Sequence, residues 1–490
     1  MTLATESASK TAASGGDLAS LFRPRSIAVA GASPDDRNIG RTWLEVLRKH
    51  DFAGPLYPVN PRYSDILGLP CYPDLTDIPG PVDYVISCLP AHLAPTLVEA
   101  CIAKGVRLLH FFTARMAESG DSRRIEFEAQ LGRRAREGGL RILGPNCMGL
   151  YHPAHGISFA FHFPRESGCV GYFAQSGGNT NELIVKAGRI GIYFTQAVSF
   201  GNALDINECD LLEHFSHDPQ TRVIAIYIEG VKDGRRFLEL LKETTPRKPV
   251  VVMKGGRSAA GTRAVGSHTA ALAGDMAVWT ALFRQTGVIQ VYSLDEMVDL
   301  LQAFVLLPAP NGRRVSVAVG SGGPSVQSAD DCELAGLLVQ PLSAQLQERI
   351  REVVPHHHGE LMLRNPIDSS AFGNRDALPH ILRPLIASDE TDLMIQHVMV
   401  QALGRAGEKH MLMQGLDLLI DIHKEFPEKP VAAVIGTSDS TDEWRWKDLM
   451  DQVARCTAAG IPVYPHVKRA AQALSRFCHY HEFLASRKVE

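Results

Sequence analysis

The sequence has no apolar run approaching the roughly 18–20 residues needed to cross a bilayer; its longest, such as 223–228 and 249–253, are strand-sized. A membrane-spanning helix is excluded on that ground, and no membrane partner is expected. Charge of one sign is also lacking. Fifty Lys and Arg stand against 54 Asp and Glu, a net charge of −4, so no nucleic-acid partner is expected either, although small anions can bind at local sites. The nine cysteines (Cys71, Cys88, Cys101, Cys147, Cys169, Cys209, Cys332, Cys456, Cys478) are scattered and contain no C-x-x-C pair. That usage points to reduced thiols in the cytoplasm, without disulfides or structural zinc. Residues 1–16 are rich in Ala, Ser and Thr but hold Glu6, no Arg and no apolar stretch, so residues 1–19 read as a disordered tail and not as a targeting peptide.

What is there is length and rhythm. At roughly 150 residues per domain, 490 residues make about three domains. Short Val/Ile-rich runs at 26–30, 82–88, 107–112, 141–143, 170–174, 222–228, 249–253, 315–319, 393–400 and 431–435 alternate with longer amphipathic stretches. This is the pattern of βα units and of parallel strands buried on both faces, so the fold class is α/β. Polar, Pro- or Gly-containing connectors at 152–168 and 307–314 break the rhythm, predicting domains at 20–152, 168–306 and 314–485.

A weak internal repeat opens the second and third domains: Phe173-Ala-Gln-Ser-Gly-Gly and Ala318-Val-Gly-Ser-Gly-Gly each follow a strand and precede a helix. Paired glycines let the backbone turn sharply, and the free N–H groups at the start of the helix attract an anion. Ser176, Gly177, Gly178 and Ser321, Gly322, Gly323 are therefore candidate phosphate-binding residues, a tight turn with nothing bound being the alternative. In the first domain, strand 26–30 runs into Gly31-Ala32-Ser33, and Gly40 precedes a helix around 42–49. The G-x-G-x-x-G spacing of dinucleotide folds is missing, and the next strand, 56–59, ends at Asn60-Pro61-Arg62 where an acidic residue would hold a ribose. Nicotinamide chemistry is disfavoured, with NADP still open. Arg62 suits a phosphate or pyrophosphate, or is a solvated surface charge.

Residues 258–274 read SAAGTRAVGSHTAALAG, and 13 of these 17 are Ala, Gly, Ser or Thr. So little apolar surface lets the segment detach and redock at low cost. His268 sits at its centre. An imidazole is a competent nucleophile toward phosphorus near neutral pH, and a hydrogen-bonded loop histidine is the plainer alternative. The run His356-His357-His358 suggests a metal, but adjacent histidines cannot all face one ion, and Pro355 and Gly359 break any helix there. A solvated loop is expected, and no metal site.

Ser26-Ile-Ala-Val-Ala-Gly-Ala-Ser, Tyr57-Pro-Val-Asn-Pro-Arg, Leu89-Pro-Ala, Ala117-Glu-Ser-Gly and Gly144-Pro-Asn-Cys-Met-Gly together resemble the CoA-binding domain of the NDP-forming acyl-CoA synthetases. That group includes succinyl-CoA synthetase and ADP-forming acetyl-CoA synthetase. Ser199-Phe-Gly-Asn-Ala-Leu-Asp, Asp218-Pro-Gln-Thr, Ile226-Tyr-Ile-Glu-Gly-Val-Lys-Asp-Gly, Lys248-Pro-Val-Val-Val-Met-Lys-Gly-Gly-Arg and Ser267-His-Thr-Ala-Ala-Leu-Ala-Gly extend the likeness through the second domain. Leu337, Asn365-Pro366-Ile367-Asp368 and Gly460-Ile-Pro-Val-Tyr carry it into the third.

The resemblance implies a Rossmann-like CoA-binding domain followed by two flavodoxin-like domains. It implies CoA phosphates near Gly31, Ala32, Ser33 and Gly40, with Arg62 in place of the family's usual Lys and Leu89, Pro90 and Thr113 along the CoA path. It places His268 on the phosphorylated histidine and Glu229 on the carboxylate paired with it. Asn179 and Asn181 fall where substrate contacts are expected, Asn181 at the place of a Tyr in succinyl-CoA synthetase. Departures are Arg115 and Met116, where a glycine and an aromatic usually precede Ala-Glu, and Ala270, where a Gly is usual. No ATP-grasp domain and no Walker motif accompany these domains. The expected reading is therefore an α-type subunit, with ATP or ADP and Mg²⁺ on a separate ATP-grasp β-type subunit of a hetero-oligomer. The expected reaction is acid, CoA and ATP to acyl-CoA, ADP and phosphate. A non-catalytic CoA- or acyl-CoA-binding regulatory protein is the alternative, against which His268 and Glu229 together weigh.

Overall fold

The structure is a computed structural model and describes residues 18–268, 275–354, 363–368, 377–398, 405–436 and 443–487, with the backbone alone for 266–268, 405–411 and 445. The histidine run at 356–358, Ala270 and residues 1–17 of the expected tail lie outside the described residues. Among the described residues no helix is long and apolar enough to cross a membrane.

Three sheets, parallel but for one edge strand of the second, follow one another along the chain. In the first the strand order is Leu56–Val59, Ile27–Ala30, Tyr84–Ser87, Leu108–Phe111, Arg141–Leu143. The second orders Phe194–Ser199, Val170–Ala174, Val223–Ile228, Val250–Lys254 and Ile289–Val291, and the third Ile367–Asp368, Val315–Val319, Leu393–Val398, Val431–Ile435 and Val463–Tyr464. Each sheet thus has its second strand outside its first and its third on the other side. Its connections reverse direction between the first and third strands, and the crevice at the carboxyl ends of those strands is where open α/β sheets bind ligands. Ile27–Ala30, Val170–Ala174 and Val315–Val319, the pivots of the three reversals, are buried at every position, because helices cover both faces.

The sheets are joined by more than connectors. Strand Gly149–Tyr151, within the segment expected for the first domain, pairs antiparallel with Phe194–Ser199 on the edge of the second sheet. Helix Val467–Arg487 of the third domain packs on helix Leu294–Leu306 of the second. Arg469 makes two bonds to the Asp299 carboxylate, 2.6 and 2.7 Å, and Tyr480 donates to the carbonyl of Thr245 at 2.7 Å. Two buried histidines sit along the first domain's border. His110 Nε2 donates to the Cys147 carbonyl at 3.0 Å and its Nδ1 faces the Tyr84 hydroxyl at 3.1 Å. His152 Nδ1 meets the Phe22 carbonyl at 2.9 Å. Burial pushes both imidazoles down to about 4, so both are neutral in the fold near pH 7.

Candidate functional site

In the first domain the reversal point falls between 31–33, after Ile27–Ala30, and Leu89-Pro90, after Tyr84–Ser87. Gly31 has φ +91°, and a Cβ there would stand 3.0 Å from Leu89 Cδ2 and 3.3 Å from the Cys88 carbonyl carbon. Glycine is thus required by conformation and by space. Helix Ile39–Lys49 begins beneath this loop. Its cap, Asn38, accepts from Arg41 N at 2.9 Å and from Ser33 N at 3.1 Å, and its amide donates to the Gly31 carbonyl at 3.2 Å. Gly40 lets the two meet, since a Cβ there would lie 2.8 Å from Ala32 Cα and 2.9 Å from Ala32 N. Asn60 donates to the Ala32 carbonyl at 2.7 Å and accepts from Arg62 N at 3.0 Å, which brings the Arg62 turn to the same loop. The Arg62 side chain is exposed and makes no ion pair among the described residues. Thr113 Oγ1 donates to the Leu89 carbonyl at 2.5 Å. All eight positions expected around CoA therefore lie on the loops and helix start at one carboxyl edge, with the Arg62 backbone tied to that edge through Asn60.

Arg115 has φ +68° and Met116 is buried. The left-handed backbone usually given to glycine is kept here by an arginine, whose N–H is held by the Glu118 carboxylate. The Met116 thioether is buried in the core of the first domain. Glu118 and Glu128 both accept from the Asn202 amide, at 2.8 and 3.2 Å, fastening turn Ala117–Ser119 to the second domain.

In the second domain Ser176 caps helix Gly177–Arg189, accepting from Asn179 N at 3.3 Å. A Cβ on Gly177 would stand 2.5 Å from Met148 Cγ, whereas Gly178 faces open space, its nearest neighbour Ser176 Oγ at 3.9 Å. Across the reversal point Glu229 follows Val223–Ile228 and is 3% exposed. Gln175 Oε1 accepts from the backbone N–H of Glu229 at 2.5 Å and of Gly230 at 3.2 Å. The Tyr227 hydroxyl donates to Glu229 Oε1 at 3.0 Å. Burial, and then the Glu229 charge, push the Tyr227 phenol up, with Asn179 beside it acting in the opposite sense. Lys254 donates to the Glu229 carbonyl at 2.8 Å and is itself buried. Asn179 thus joins the Glu229 cluster, while Asn181 lies one residue beyond Thr180, half-buried on the same helix. Gln175, Tyr227 and Lys254 were not singled out from sequence. Gln175 follows a strand, Tyr227 is the penultimate residue of one and Lys254 the last, and a lone Lys closing an otherwise apolar strand was the one available signal.

His268 closes helix Ala259–His268, which lies against turn Ala117–Ser119 of the first domain; its side chain lies outside the described residues. Of residues 258–265 only Val265 is buried, which is the thin packing read from the sequence. In the third domain Ser321 stands at the start of helix Gly322–Ala335 without a capping bond from its side chain to the helix. A Cβ on Gly322 would be 3.3 Å from Asp368 Oδ2, and Gly323 has no neighbour within 4 Å. The two Ser-Gly-Gly loops therefore share a backbone device but not a charge: a carboxylate stands at the rim of the second.

The family profile described as CoA binding domain matches residues 25–153, and that of the succinyl-CoA ligase like flavodoxin domain matches 167–304. The chain is 34% identical over 454 residues to the α subunit of ADP-forming acetate–CoA ligase II of Pyrococcus furiosus, covering 92% of this chain and 95% of the relative. It is 32% identical to ADP-forming acetate–CoA ligase I of Archaeoglobus fulgidus, covering 96% of this chain but 64% of that longer protein. The acetyl-coenzyme A synthetase 1 of Ca. Korarchaeum cryptofilum, solved with phosphate and ADP, superposes with a TM-score of 0.82 at 30% identity, over 97% of this chain and 99% of the other. The two matching profiles, the shared architecture and the full-length similarity to an α subunit lead to one assignment: the chain belongs to the family of ADP-forming acetyl-CoA synthetases.

Proposed function

We propose that the chain is the α-type subunit of an ADP-forming acyl-CoA synthetase in which His268 carries the phosphoryl group. The observation that carries the reading is the buried Glu229, its backbone held by Gln175 and its carboxylate by Tyr227, across from the open helix mouth at 176–178. Written from the thioester, a phosphate oxygen attacks the acyl carbonyl and CoA leaves as the thiol, giving acyl phosphate. An imidazole nitrogen of His268 then attacks phosphorus and releases the carboxylate, and phosphohistidine passes the group to ADP. Glu229 accepts the other ring N–H, which fixes the tautomer and stabilises the cationic ring. The N–H groups of 177–178 take the phosphoryl oxygens. Asn179 and Asn181 contact the acyl substrate. CoA is held by the first domain through 31–33, Gly40, Arg62, Leu89, Pro90 and Thr113. The mouth at 321–323, facing Asp368, is the weaker anion site. Nucleotide and Mg²⁺ are assigned to a separate ATP-grasp subunit, in keeping with the α-subunit naming of the Pyrococcus relative.

The test is labelling with acetyl-CoA and radioactive phosphate, and turnover with acetate, CoA and Mg-ATP. Label that is acid-labile and base-stable is expected on the wild-type chain, less on Glu229→Gln and none on His268→Asn, which keeps a polar side chain but no nucleophilic nitrogen. ATP-dependent thioester formation is expected only after a matching ATP-grasp subunit is added. Label on His268→Asn, or ligation by the chain alone, overturns the corresponding part of the proposal.

A further inference from the structure

Lys254 is a buried cation that the reaction above does not use. It closes strand Val250–Lys254 in register with Ile228 and is 1% exposed. Its ammonium donates to two main-chain carbonyls, that of Glu229 at 2.8 Å and that of Gly255. It also stands 5.2 Å from the centroid of the Trp279 ring. These three contacts belong to three different pieces of chain. Glu229 bears the carboxylate. Gly255 opens the stretch that leads, through Gly256 at φ +73°, into helix Ala259–His268. Trp279 lies in the first turns of helix Met276–Thr286, where the chain returns. The fit around Gly255 is close as well: a Cβ there would lie 2.7 Å from the Tyr227 hydroxyl and 3.3 Å from Glu229 Cγ, and Gly255 N donates to the Ile228 carbonyl at 2.8 Å.

Such a group is costly. Placing an ammonium out of water costs several kcal/mol, and an apolar side chain of equal volume is often no less stable. The cost is visible in the ammonium itself, which burial pushes down to about 8 against the opposing pull of the Glu229 charge. What the cation provides is geometry, because one point charge with three donors fixes two carbonyls and a ring relative to each other.

We infer that Lys254 is a positioning residue: it holds the Glu229 loop against both ends of the stretch bearing His268, so that carboxylate and imidazole meet in one arrangement. This rests on the phosphohistidine reading. The experiment is Lys254→Met, which keeps the volume and removes the charge. His268 labelling from acetyl-CoA and radioactive phosphate is followed over a range of acetyl-CoA, beside CoA titration and urea unfolding. The expected result is a maximal labelling rate lowered about ten-fold or more, with half-saturation and CoA affinity within about two-fold of wild type. Because the two carbonyls lose this donor, the urea midpoint is expected to fall modestly; unchanged half-saturation and CoA affinity beside a lowered maximal rate are what a merely structural lysine would not give. Labelling at the wild-type rate, or losses shared equally by rate and CoA affinity, overturns the inference. If Lys254→Met does not fold, Trp279→Leu loosens the same clasp from the far side. A fall of about three-fold in maximal rate at unchanged CoA affinity is then expected, and the wild-type rate refutes it. Absence of label on the wild-type chain refutes the phosphohistidine reading and the role of Lys254 with it, whereas label on the wild type with an unaffected Lys254→Met refutes only the latter.

Discussion

Gly40→Ala puts the proposed CoA edge to a test whose size can be worked out. The added methyl carbon would sit 2.8 Å from Ala32 Cα and 2.9 Å from Ala32 N, and both are main-chain atoms that cannot swing aside. Either the 31–33 loop or the first turn of helix Ile39–Lys49 must move by several tenths of an ångström. Overpacking of this kind costs about 1–3 kcal/mol. The gain in helix propensity is at most about 1 kcal/mol and smaller in a first turn. A net loss of about 1–2 kcal/mol is expected, together with displacement of N–H groups that a phosphate would need. Calorimetric titration should show CoA affinity reduced about ten-fold, or ~1.4 kcal/mol, and scanning calorimetry a lowered melting transition. Gly323→Ala, with no neighbour within 4 Å, serves as the control and should alter neither. CoA bound by Gly40→Ala within about two-fold of wild type, with unaltered melting, would refute the claim that this loop and helix mouth form the phosphate cradle.

Arg62→Ala should weaken CoA about three- to ten-fold in a fluorescence titration, the loss of one charge-assisted contact, and weaken dephospho-CoA less if the contact is to the ribose phosphate; equal CoA affinity would return Arg62 to the solvent. Arg115→Gly should stabilise the chain by about 0.5–1 kcal/mol, because the left-handed backbone costs an arginine about 1–2 kcal/mol and glycine returns part of that as entropy of the unfolded chain; a lower urea midpoint would contradict this. His110 and His152 titrate near 4 in the fold against 6.5 when exposed. Between those values the unfolded chain binds more protons, so stability is complete above about 6.5 and is lost as pH falls toward 4. Urea midpoints equal at pH 7 and pH 4.5 would show that these imidazoles are not buried neutral.

The α/β class and all three pivot strands were legible because strands covered on both faces must be apolar throughout. Strand Phe194–Ser199 was not, since three of its six residues are polar. Thr195 is hydrogen-bonded to Thr221 at 2.9 Å, Gln196 to His214 at 2.9 Å, and Ser199 to Met148 N at 3.1 Å. Buried polar groups satisfied by distant partners erase the local pattern. The same holds at the candidate site. Glycine loops can be read from neighbours in sequence, but the difference between the two Ser-Gly-Gly loops lies in Asp368, which arrives from another strand. Gln175 and Lys254 act through carbonyls and N–H groups brought together only by sheet register. Arg115 shows the converse: the departure is plain in the sequence, but its left-handed backbone is seen only in the fold.

The antiparallel strand Gly149–Tyr151 has a consequence for dissecting the molecule. The two family profiles part company between residues 153 and 167, yet the sheet of the second unit takes its outer strand from before that gap. A fragment begun at 167 would bare the main-chain N–H and C=O groups of Phe194–Ser199, an edge ready to pair with another copy of itself. A fragment stopped at 153 would carry the same strand with nothing to pair against. The profile boundary and the folded boundary thus differ by this one strand, and a cut that keeps it with the second sheet falls after Leu143, the last residue of the first sheet.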